Sequence, residues 1–70
     1  MRTATFKGIS YPDADQPLVI GWFGAKYDYY ELMPKRQCLI IHCNDDLTQQ
    51  EQDDITSNCS GEGFFVKFSA

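Results

Sequence analysis

Between Gln37 and Val66 the chain has no Lys and no Arg, and only six stand in the whole sequence, at positions 2, 7, 26, 35, 36 and 67. Proteins that hold a phosphate backbone do so with clustered cations that displace its counterions. Six scattered bases against ten acids, a net charge of −4, disfavour direct nucleic-acid binding and an anionic membrane surface alike. No apolar run approaches the ~18 residues that cross a bilayer, and MRTATFKGIS has no hydrophobic signal core. The expected location is therefore cytoplasmic. Cysteine is scarce as well: three residues, an odd number, are expected as free thiols in a reducing compartment, with an intermolecular disulfide as the alternative. There is one histidine, there are no internal repeats and no low-complexity segments, and G-x-S-x-G, P-loop and G-x-G-x-x-G motifs are all missing.

What is present is aromatic and acidic. Five Phe, four Tyr and one Trp in 70 residues, with 43% hydrophobic content, exclude disorder and predict one small folded domain over residues 1–70. A domain of this size buries only about 60% of its unfolded surface, so a partner surface is a natural reinforcement. Charge is unevenly placed. Residues 1–44 carry five bases and four acids, whereas residues 45–70 carry six acids and one base. Such a split predicts one acidic face suited to a basic partner.

Along the chain, Arg2 to Ile9 alternates as a strand does, and Tyr11 to Pro17, with two prolines and two aspartates, reads as a loop. Leu18 to Phe23 (LVIGWF) reads as a second strand, joined through Gly24-Ala25-Lys26 to a third over Tyr27 to Met33. A helix from Ala25 to Leu32 is the alternative for that last segment. Pro34-Lys35-Arg36 connects to Cys38–Cys43 (CLIIHC), a buried strand. Thr48, with Glu51 three residues on, predicts a capping box opening a helix over Thr48 to Cys59. Its apolar stripe is narrow: Leu47, Ile55 and Cys59. Gly61 is the candidate left-handed cap, and Phe64 to Phe68 forms the final strand, with Phe64, Val66 and Phe68 on one face and Phe65 and Lys67 on the other. The expected class is α+β: a small mixed or antiparallel sheet of four to five strands with one short helix on one face, in the order β-β-β-β-α-β. One sheet face then stays bare, and a homodimer or another partner would cover it.

No constellation points to catalysis. Cys38 and His42 share a face of one strand but stand about 13 Å apart, too far for one metal ion, and His42 and Cys43 point to opposite faces. Neither C-x-x-C nor H-x₃-H occurs, so no metal, cofactor or catalytic residue is expected. Asp45/Asp46 and Asp53/Asp54 lack the alternating spacing of a calcium loop and read as a solvated face. The tail GEGFFVKF matches the RNA-reading octamer [KR]-G-[FY]-[GA]-F-V-x-[FY] only at Phe65, Val66 and Phe68. A domain of that kind also needs two helices and a positive surface. Its aromatics are read as core and sheet-face residues.

The expectation is a non-catalytic acidic protein-binding domain, of the inhibitor or adaptor kind that phage and mobile elements use against host nucleic-acid-handling complexes (anti-CRISPR or anti-restriction). Asp45, Asp46, Glu51, Asp53 and Asp54 would meet Lys and Arg of a basic protein, and Tyr27 and Tyr29, on one strand face, would anchor it. The alternatives are a self-associating structural domain and a small enzyme or ligand-binding protein dependent on Cys38, His42 or Cys59.

Overall fold

In the computed structural model residues 1–70 are described except Pro34 and Arg36, and of Pro12 only the backbone. The elements are β1 (Thr3–Lys7), α1 (Pro12–Gly21), a 3₁₀ turn (Gly24–Lys26), β2 (Tyr27–Met33), β3 (Cys38–Cys43), α2 (Gln49–Gly61) and β4 (Phe65–Ser69). The strands form one antiparallel sheet in the order β2-β3-β1-β4. Both helices pack on the same face. β1 inserts between β3 and β4, and β3 between β1 and β2, so each strand–helix–strand unit is split by a strand from the other. This is the split β-α-β connectivity known as ferredoxin-like. The α+β class holds, with four strands and an antiparallel sheet.

The order is β-α-β-β-α-β, and the reading of residues 11–23 is corrected. Residues 12–21 are a helix, not a loop followed by a strand. A short apolar run has no period that separates a buried strand from a buried helix turn. Spacing decides it here: Val19 and Phe23, four apart, are buried at 0% and 5%, while Leu18 stays 44% exposed. Pro12 occupies the first turn, where a missing N–H costs nothing, and Asp13 and Asp15 stand at the positive end of the helix dipole. Pro17 lies inside the helix and removes one backbone bond there. The alternative of a helix over residues 25–32 is overturned, since β2 runs through Tyr27–Met33. The reading of residues 34–36 as a connection falls on Pro34 and Arg36, which lie outside the described residues.

The helix-side core is continuous. β1 contributes Ala4 and Phe6, β3 Leu39, Ile41 and Cys43, and the helical layer Ile9, Val19, Phe23, Leu47, Ile55 and Cys59. Val66 and Phe68 of β4, with Phe64, pack against it half-buried, as the alternation of that strand predicts. Phe6 meets Phe23 edge-on and Trp22 at a tilt, both with ring centroids 6.0 Å apart. No buried side-chain nitrogen or oxygen among the described residues lacks a partner.

The capping box of α2 forms as expected. Thr48 Oγ1 accepts from the Glu51 amide at 3.1 Å, and Glu51 Oε1 accepts from the Thr48 amide at 2.8 Å. The end of the helix differs from expectation. Gly61 is still helical, and the left-handed backbone falls two residues later at Gly63, φ +79°. Among the described residues no helix is long and apolar enough to cross a membrane.

Candidate functional site

The seven residues singled out for partner binding divide into three groups. Asp45, Asp46 and Glu51 are occupied within the fold. Asp45 accepts from the Asp46 amide at 2.8 Å. Asp46 receives the N-terminal ammonium at 3.4 Å and Arg2 at 3.3 Å, which hold its carboxyl below the usual carboxylate range. Glu51 receives Lys26 Nζ at 2.6 Å; that hydrogen bond, with the Thr48 amide, lowers its pKa to about 2. Lys26 also donates to the Asp46 carbonyl at 2.7 Å, and its own pKa is raised by the bond to Glu51. This node ties the 3₁₀ turn to the loop before α2. Asn44 adds two further ties, from its side chain to the Ala25 carbonyl and from its amide to the Lys26 carbonyl.

Asp53 and Asp54 form the second group. Both are exposed on α2, and among the described residues neither has a cation within ion-pair reach. Their partners are amides one turn back: Gln49 Nε2 donates to Asp53 at 3.0 Å and Gln50 Nε2 to Asp54 at 2.9 Å. Such i,i+4 pairs restrain a carboxylate without neutralising it. The polar run Gln49-Gln50-Glu51-Gln52-Asp53-Asp54 carries this arrangement openly in the sequence.

Tyr27 and Tyr29 are the third group, and their shared face is a misreading. β2 shifts register between them, leaving Asp28 as an extra residue, so Tyr27 pairs with Cys43 and Tyr29 with His42. Tyr27 therefore turns to the helix-side core, while Tyr29 stands on the open face. There its ring stacks on His42, centroids 4.3 Å apart and planes 9° from parallel. His42 Nε2 also bonds Glu31 Oε1 at 3.0 Å. No local signal in the run Tyr27 to Tyr30 marks the bulge.

The open face is not a uniform aromatic platform. Its outer strands present Tyr29, Glu31 and Met33 on β2 and Phe65, Lys67 and Ser69 on β4; the central strands present Ile40, His42, Thr3, Thr5 and Lys7. Phe65 stands on the sheet surface, as alternation predicts, and is 73% exposed, yet it is not among the residues expected to bind a partner. Gly8 (φ +80°) has no side chain to displace that ring; an added Cβ would lie 3.3 Å from it. Thr5, Lys7, Val66 and Lys67 complete a shallow groove beside Phe65. Among the described residues there are two helices, the number that an RNA-reading domain needs. On the open face of the central strands, however, only His42 carries a ring, already stacked on Tyr29, and the other positions are Thr, Ile and Lys.

The three thiols are free and buried. Burial raises the pKa of Cys43 and of Cys59. Among the described residues no three His, Cys, Asp or Glu side chains converge on a point that could hold a metal ion. Compared with protein-family models, with curated proteins and with solved structures, the chain matches none.

Proposed function

We propose that the protein is a non-catalytic binding domain that docks the outer face of α2 on a basic protein surface. One observation carries the reading: Asp53 and Asp54 are held outward by Gln49 and Gln50 with no neutralising cation among the described residues. α2 itself contains no base, so its field is of one sign. A protein that grips nucleic acid through Lys and Arg offers the complementary surface, and occupying it would make this domain a cytoplasmic inhibitor or adaptor of such a complex. The disposition of the reactive side chains supports a non-catalytic role. Cys43 and Cys59 lie in the core, where burial pushes their pKa values up, Cys38 is buried as well, and His42 is bonded to Glu31 and stacked on Tyr29.

The test is capture from host lysate with the tagged chain, run beside Asp53→Asn/Asp54→Asn. Both positions are exposed, so the variant keeps its fold. A stoichiometric basic partner retained by the wild type, released by added salt and lost in the variant is the expected result. Equal capture by both proteins would rule out α2 as the docking face.

A further inference from the structure

The two edges of the sheet are built differently. β2 carries the hallmarks of a protected edge, with a bulge at Asp28 and exposed acids at Asp28 and Glu31. β4 carries neither. It pairs with β1 in unbroken register from Phe65 to Ser69, contains no proline and no acid, and has Lys67 as its single edge-guarding charge. Among the described residues nothing pairs with its outer side. A strand in this state presents a row of free backbone donors and acceptors to another strand.

We infer that this edge is a self-association surface, on which β4 of a second copy adds antiparallel across a two-fold axis to give one continuous eight-stranded sheet. Charge selects the register. With the axis at Lys67, the two Lys67 side chains would face each other, a repulsive pair. With the axis at Val66, Phe65 of each copy faces Lys67 of the other, on the open face. That sets an ammonium against an aromatic ring twice over. Phe65 is 73% exposed, and among the described residues no carboxylate lies within ion-pair reach of Lys67. On the helix side the same register sets Val66 against Val66 and Phe64 against Phe68. All three are half-buried residues already packed on the core, so that core runs on across the axis. Because α2 packs on β4, the two acidic helices come close together. Their mutual repulsion is screened at ~0.5 M salt, where the Debye length is only a few Å.

Sedimentation equilibrium of the full chain at that salt concentration tests the inference. The expected result is a dimer for wild type and a monomer with unchanged circular dichroism for Phe65→Lys, which faces Lys67 with a second cation. The exchange Phe65→Lys/Lys67→Phe restores the same cross-pair with its members swapped, and is expected to restore the dimer. A monomeric wild type at millimolar concentration overturns the proposal, as does a dimer indifferent to Phe65→Lys or not recovered by the exchange. Should Phe65→Lys fail to fold, isotope-filtered spectra of a mixed-label wild-type sample decide the matter. Intermolecular contacts between the Phe65 ring and the Lys67 methylenes uphold the register; a dimer without them refutes it.

Discussion

Glu51 holds two positions at once, closing the capping box and receiving Lys26. Its folded pKa of about 2 lies below the ordinary 4.5. It therefore stabilises the fold fully above pH 4.5, and that contribution fades as pH falls through about 2. Lys26 is the mirror case: its raised pKa gives stability that is present below 10.5 and lost as pH rises beyond it. Gln at position 51 can still close the capping box, so Glu51→Gln removes the charge and leaves the cap. The expected outcome is a wild type more stable than the variant at pH 6, with their melting temperatures converging between pH 4.5 and 2. A constant gap across that range would show that the ion pair is not the source. The capping box was legible because it is local, two residues three apart with fixed roles. The partner Lys26 was not, since it lies 25 positions away in sequence.

At the scale of elements, α2 is two-sided, and its sides should answer differently to substitution. Ile55 and Cys59, 2% and 1% exposed, are the helix's buried residues. Ile55→Ala removes packed methyl groups from beneath the helix and should cost about 2–5 kcal/mol. Asp53→Asn/Asp54→Asn should change stability by only about 0.5 kcal/mol either way, since both side chains face water. Denaturant unfolding of the two variants separates the roles; a small loss for Ile55→Ala would mean that α2 is not anchored by this stripe. The stripe itself could be read from Leu47, Ile55 and Cys59. In α1 the same kind of reading failed, because Leu18 to Phe23 is apolar throughout and hides which residues face inward. The bulge in β2 failed to show for a related reason. Alternation predicts faces only while the register is unbroken, and Asp28 breaks it between two tyrosines that would otherwise agree.

For the whole molecule, the succession of β3, α2 and β4 could be read along the chain, but the insertion of β1 between those strands could not. Pairing Thr3 with both His42 and Ser69 joins segments far apart in sequence, and no local pattern announces it. That non-local arrangement has a consequence for cooperativity. α2 is flanked in sequence by β3 and β4, and both strands pair with β1. Releasing the helix uncovers the sheet, so α2 and the strands should unfold as one unit. Cys43 at the end of β3 and Cys59 on α2 report on the two layers, and both are buried with raised pKa values, leaving little reactive thiolate in the native state. In variants that keep only one of these cysteines, thiol labelling should follow the same dependence on denaturant for both positions. Earlier labelling at Cys59 would mean that α2 opens by itself, and the outward carboxylates of Asp53 and Asp54 would then sit on a layer able to detach from the sheet.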